Sequence, residues 1–356
     1  MTRSQQLDER RSLRGLPLLT ASLLVMALAV GCGKEPAGGV VPDELKPITE
    51  GPTAATAAAG KTVGITLLNK QHIFYRDLEQ SMRDKADELG LTLLIQSAEF
   101  DANVQDAQVD DFIVQKVDAL IVCPADSASV GGSIRKANGA GIPVFTCDIA
   151  ADEGEVVCHI ASDNVQGGRL AAEYLAKEIG EEGEVLVIDH PTVRSVQDRT
   201  KGFREVMAKY PKIEVVEYAP AEGQRDKAQQ VMQNKLLSYP DLKGVFGIND
   251  DSALGALAAI RNAPGAEDII IVGYDATPEA LEEIRKGTQL KADIAQYPVK
   301  MGQVTIQMVA DYFEGKPVPK EQPIEVAVVD RESLAAESAP AAGHGKRGPV
   351  SEGLGR

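Results

Sequence analysis

Eight short apolar runs recur along this chain, spaced so that each interval holds one helix and its turns, and this rhythm constrains the fold more than any other feature. VGITLL begins at residue 63, LTLLIQ at 91, DALIVC at 118 and PVFTCD at 143; EVLVID follows at 184, IEVVEY at 213, GVFGIN at 244 and IIIVGY at 269. Unbroken apolar runs suit strands buried on both faces of a parallel sheet. The segments between them are amphipathic: Phe74, Leu78, Met82 and Ala86 fall every fourth residue, and Gly90 stands where a left-handed cap would end that helix. Strand and helix in alternation imply parallel sheets joined by right-handed crossovers. Two series of four runs predict an α/β chain of two doubly wound lobes.

Length agrees, since 356 residues accommodate about two domains of roughly 150 residues each. The formal net charge of −16 repels nucleic acid and anionic lipid, so no nucleic-acid role is expected. Residues 1–32 read as an export signal: Arg3, Arg10, Arg11 and Arg14 form a basic start, and Leu16 to Val30 form an apolar stretch too short to span a bilayer comfortably. LAVGC, residues 28–32, resembles a bacterial lipoprotein signal in which Cys32 is acylated and becomes the new N-terminus, although Ala29 stands where leucine is usual. Residues 33–60, rich in Pro, Gly and Ala, read as a tether reaching on the order of 90 Å. The low-complexity stretch 333–356 reads as an unstructured tail. An extracytoplasmic, membrane-anchored protein is expected.

Ligands of open parallel sheets bind beyond the carboxyl ends of the strands. Polar residues gather there: Gln71 and His72 after the first run, Cys123 at the end of the third, Asp148 at the end of the fourth, then Asp189 with His190, Asn249, Tyr274 with Asp275, and Gln296 after LKADIA. Asp148, Asn249, Asp275 and Gln296 each make two or more directed hydrogen bonds, which suits a polyhydroxylated ligand. Asp250 or Asp251 is expected to cap the helix that carries ALGALAAI.

GEVVCHIASDN (154–164), VMQNKLL (231–237), INDDSALGAL (248–257), VGYDATP (272–278) and IAQYP (294–298) resemble, in order, segments of the ribose-binding family of periplasmic sugar-binding proteins of ABC transporters. The resemblance covers roughly residues 61–332. It implies the type I periplasmic binding protein fold, with an N-terminal lobe of 61–162 plus 297–325, a C-terminal lobe of 163–296 plus 326–332, and three hinge crossings near 160–164, 293–297 and 324–328. It also implies polar ligand contacts at Asp148, Arg199, Asn249, Asp275 and Gln296, and aromatic plates at Phe74, Tyr75 and Tyr274. The sequence departs from the ribose binders at Ile149, where they have arginine, at His72 and Cys123, where they have asparagine, and at Gly223, where they have an aromatic ring. A ligand other than ordinary ribose is therefore expected. With no adjacent cation, Asp148 is expected to rely on ligand hydroxyls and on Arg199 from the other lobe.

The resemblance implies a monomer that delivers a small sugar or polyol to the permease subunits of an ABC transporter, with no cofactor; presentation to a chemoreceptor or histidine kinase is the alternative. No G-x-S-x-G, P-loop or G-x-G-x-x-G signature follows a strand, so a sugar-acting enzyme is not expected. A sugar-responsive repressor would need an N-terminal helix-turn-helix in place of the export signal. Cys123 and Cys147 lie on neighbouring strands, where a bridge is conceivable, but buried free thiols with Cys158 are the plainer expectation. The spacing of Cys and His fits no metal motif, and His159 reads as a core residue.

Overall fold

The computed structural model describes residues 57–338; the export segment, Cys32, most of the tether and the tail beyond 338 lie outside the described residues. Strands β1 (Thr62–Leu67), β2 (Thr92–Ser97), β3 (Ala119–Val122), β4 (Val144–Cys147) and β5 (His159–Ser162) are linked by helices α1 (Ile73–Leu89), α2 (Ala102–Gln115) and α3 (Gly131–Gly139). The pattern repeats through α4 (Asn164–Glu178), β6 (Gly183–Asp189), α5 (Arg194–Met207), β7 (Ile213–Pro220) and α6 (Arg225–Ser238), and then through β8 (Leu242–Gly247), α7 (Asp250–Arg261), β9 (Ile270–Asp275), α8 (Pro278–Lys286) and β10 (Leu290–Ala295). The chain closes with α9 (Pro298–Phe313), β11 (Glu321–Ile324), β12 (Ala327–Asp330) and α10 (Arg331–Ser338).

The strands form two six-stranded sheets with the same winding, β2-β1-β3-β4-β5-β11 and β7-β6-β8-β9-β10-β12. The first is parallel throughout; in the second, β12 lies antiparallel to β10 at the edge. The expected pair of doubly wound α/β lobes is therefore present. The chain passes between the sheets at Asp163, at Gln296–Tyr297 and at Glu325–Val326.

Helix α1 shows how the sequence builds a layer. Phe74, Leu78, Met82 and Ala86 are buried on one stripe, and Gly90, at φ 71, receives the last turn through its backbone N–H. Helices α4 and α5 pack backbone against backbone through glycines. A Cβ on Gly168 would lie 1.9 Å from Arg199 O, and one on Gly202 would lie 2.0 Å from Val165 O. This close approach fixes Arg199 against the start of α4.

Two expectations about the ends are corrected. Helix α10 runs to Ser338 and buries Leu334, so order extends past the point where the tail was expected to begin. At the other end Ala58 is fully buried and Gly60 N donates to Gly90 O at 2.8 Å, so the end of the tether is packed onto α1. Strands β5, β11 and β12 are four residues each and do not belong to the eight apolar runs.

Candidate functional site

A cavity of about 590 Å³ opens between the carboxyl ends of the two sheets. From the first lobe it is lined by the β1–α1 loop (Asn69, Gln71, His72), by Phe74 and Tyr75 at the start of α1, by Glu99 and Phe100, and by Asp148 and Ile149. The second lobe contributes His190, Arg199, Gly223, Arg225, Asn249, Asp251 and Asp275, and the crossing contributes Gln296.

Asn69 builds the first loop: its Oδ1 accepts from Gln71 N at 3.0 Å and His72 N at 2.9 Å. His72 then caps α1, its Nδ1 accepting from Phe74 N at 3.2 Å. That bond turns Nε2 across the cleft, 3.4 Å from Asp275 Oδ2 and 3.9 Å from Asp251 Oδ2. The next turn of α1 presents Phe74 and Tyr75 edge to face, with centroids 5.2 Å apart.

Asp148 follows β4 in the left-handed region, φ 66, inside a tight turn closed by Ile149 N donating to Cys147 O at 2.8 Å. Such a backbone costs about 1–3 kcal/mol and aims the carboxylate out of the sheet. Burial pushes its pKa up to about 6, opposed first by the Tyr75 hydroxyl, which donates to Oδ2 at 2.5 Å, and then by the charge of Arg199. The hydrogen bond expected from Arg199 of the other lobe thus comes from Tyr75, of the same lobe. Arg199 acts on Asp148 by charge; its Nε donates to Asn164 Oδ1 at 2.8 Å and its Nη1 to Ile248 O at 2.6 Å.

On the second sheet, Asn249 is itself the cap of α7, accepting from Ser252 N at 2.9 Å and donating to Gly223 O at 3.0 Å. The cap expected at Asp250 or Asp251 therefore belongs to Asn249. Asp275 is also in a positive-φ conformation, φ 120, and accepts from Gln296 Nε2 at 2.6 Å. Gln296 Oε1 is buried with no partner among the described residues, an acceptor left for a hydroxyl donor. His190, its pKa lowered to about 4 by burial, is a neutral hydrogen-bonding wall near physiological pH.

Two expected contacts fall outside the cavity. Tyr274 is fully buried: its ring underlies the Arg199 guanidinium at 3.8 Å and its hydroxyl donates to Asn164 Oδ1 at 3.3 Å. It props Arg199 and offers no face to the cleft, because side chains alternate along β9 and Asp275 takes the cleft side. Cys123 is also fully buried, beneath the loops. Cys123, Cys147 and Cys158 are free thiols. His72, Phe74, Tyr75, Asp148, Arg199, Asn249, Asp275 and Gln296 all line the cavity. His190, one of the polar residues expected at the strand ends, is a wall residue; missed in the sequence was Asn164, which ties the first crossing to Arg199 and Tyr274. Only tertiary contact reveals the role of Asn164.

Residues 63–317 match the family model described as the periplasmic binding protein domain. The ribose import binding protein RbsB of Escherichia coli strain K12 is 35% identical over 277 residues, 78% of this chain and 93% of that protein. A periplasmic solute binding protein from Actinobacillus succinogenes, solved with bound D-allose, superposes with a TM-score of 0.72 at 28% identity, covering 78% of this chain and 99% of the other. The fructose-binding periplasmic domain of a hybrid two-component system gives 0.74 at 26% identity, covering 78% and 93%. With its two sheets, three crossings and interlobe cavity, the chain belongs to the periplasmic binding protein family.

Proposed function

We propose that this protein captures a small uncharged sugar or polyol between its lobes by hinge closure and delivers it, chemically unchanged, to an ABC permease. The observation that most supports this reading is the convergence of directed hydrogen-bonding groups from both sheets on one cavity beside the Phe74 and Tyr75 rings. A hydroxyl both donates and accepts, and carboxylates, carboxamides and a guanidinium together satisfy both needs. Aromatic rings suit the C–H faces of a sugar. The names of the relatives, with ribose, allose and fructose, agree with this class.

Charge argues for a neutral ligand. Glu99, Asp148, Asp226, Asp251 and Asp275 line the cavity, and of its two arginines Arg225 is already held by Asp251 and Glu279. A phosphate or carboxylate on the ligand would meet like charge. Ile149 replaces a polar residue with apolar surface, and Gly223 replaces an aromatic ring with bare backbone, which favours a ligand other than ribose.

The ligand stabilises the closed form through its differential affinity for it. The moving bodies are residues 61–162 with 297–325 and residues 163–296 with 326–332. Export through residues 1–32 and acylation of Cys32 would hold this receptor at the membrane on the 33–60 tether. A thermal-shift panel of pentoses, hexoses, deoxy sugars and polyols tests the reading. A sugar at 100 times its Kd adds about 2.7 kcal/mol of stability; a panel on which no carbohydrate or polyol shifts melting overturns it. Partner binding separates delivery to a permease from presentation to a histidine kinase, the arrangement that the fructose-binding neighbour suggests.

A further inference from the structure

Behind the cleft, Asp250 and Asp293 are 1% and 0% exposed, and neither lines the main cavity. One oxygen of each holds the turn that carries Asp275: Asp250 Oδ2 accepts from Thr277 N at 2.7 Å and Asp293 Oδ1 from Ala276 N at 2.9 Å. That turn is strained, with φ 120 at Asp275 and φ 55 at Ala276. The remaining oxygens, Asp250 Oδ1 and Asp293 Oδ2, are buried and have no hydrogen-bond partner among the described residues. They converge over Gly273, where a Cβ would lie 3.0 Å from the first and 2.4 Å from the second. Two buried carboxylates whose orphaned oxygens face one point cannot both be ionised there at low cost, and a proton between them would supply the missing donor.

We propose that Asp250 and Asp293 share one proton in the folded protein and act as positioning residues for Asp275, so that losing this proton in alkaline solution slackens the 275–277 turn and weakens sugar capture. Only the last step rests on the sugar-binding reading. The charged groups facing the pair and its turn are Asp275 on β9, Asp251 on α7, Arg225 and Glu279 beside it, Arg199 from α5 and His72 from the other lobe. Burial raises both members, and the charge of Asp275 adds to it. The stability that the proton confers is fully present in acid and is lost as pH rises through the raised value of the pair. Asp148, raised to about 6, titrates on the acid side, so the alkaline limb isolates the pair.

The discriminating variants are Asp293→Asn, whose amide supplies a permanent donor to Asp250 while its carbonyl still accepts from Ala276, and Asp293→Ala, which supplies neither. In the ligand-free mature chain, infrared spectra should show a protonated carboxyl at neutral pH that disappears in alkali and is missing from both variants. Exchange of the Ala276 and Thr277 amides, corrected for intrinsic rate, should accelerate about tenfold in alkali in the wild type, stay slow in Asp293→Asn and be fast throughout in Asp293→Ala. D-ribose, D-allose and xylitol then serve as probes. Those that bind the wild type should lose about tenfold in affinity as pH is raised from neutral into alkali, with Asp293→Asn flat and Asp293→Ala weak throughout. A wild-type spectrum without the carboxyl band, or exchange in Asp293→Asn that matches Asp293→Ala, overturns the proton-sharing pair. Slow exchange and a band in the wild type, with no probe bound, would leave the pair standing and count against the sugar reading instead.

Discussion

Asp148 is costly to the empty protein and useful only when the cleft is filled. Its pKa of about 6 lies above that of an unfolded aspartate, so the folded state gains relative stability below that range and loses it as pH rises through 6. Asp148→Asn cannot ionise, yet its carbonyl still accepts from Tyr75. It should therefore raise the melting temperature at neutral pH, by up to about 3 kcal/mol in stability, with the gain shrinking in acid and vanishing below about pH 4, and with sugar affinity lost in calorimetry. Arg199 behaves differently. Its guanidinium satisfies Asn164 and the Ile248 carbonyl and lies on the Tyr274 ring, so Arg199→Ala should cost about 1–3 kcal/mol in denaturant unfolding as well as sugar binding. This replaces the expectation, natural from sequence, of a pure contact residue. Strand-end position made Asp148, Asn249, Asp275 and Gln296 legible, because the carboxyl ends of parallel strands are readable from apolar runs. Tyr274 and Cys123 were misread because one step along a strand reverses the face, and no single sequence states which residue ends it. Tyr75 was read for its ring, while its hydroxyl carries the contact to Asp148.

Helix α5 begins at Arg194 with no side-chain cap from its own lobe. Ser127 of the other lobe supplies one: its Oγ accepts from Arg194 N at 2.9 Å, and its backbone N–H donates to Thr192 O at 3.1 Å. The cap exists only while the lobes meet, so it favours closure whatever the ligand. Ser127→Ala should remove about 1 kcal/mol from the closed form, weakening sugar affinity about fivefold in calorimetry, with little change in unfolding of the open protein. The long apolar strands and α1 could be read directly, since periodicity, burial and the Gly90 cap agree there. Strands β5, β11 and β12 could not: at four residues their pairing is decided by neighbours far along the chain, as where Glu321–Ile324 joins His159–Ser162.

The two lobes wind alike and close on a cavity whose wall holds more acid than base. Neutral sugars should therefore stabilise the protein in a thermal-shift assay, whereas their phosphates and aldonic acids should not, and added salt should do little to rescue the anions in so enclosed a site. The three crossings also set an order of manufacture. Helix α9 covers α1, with Met301, Ile306 and Val309 in the shared core, and β11 completes the edge beyond β5. Both are translated after the whole run from α4 to β10. The lobe that a ribosome starts first thus waits for the body of the other, its sheet short of a strand and α1 short of its cover until nearly all of the polypeptide has emerged. Until then the apolar face of α1 that α9 will cover stays open to misassociation.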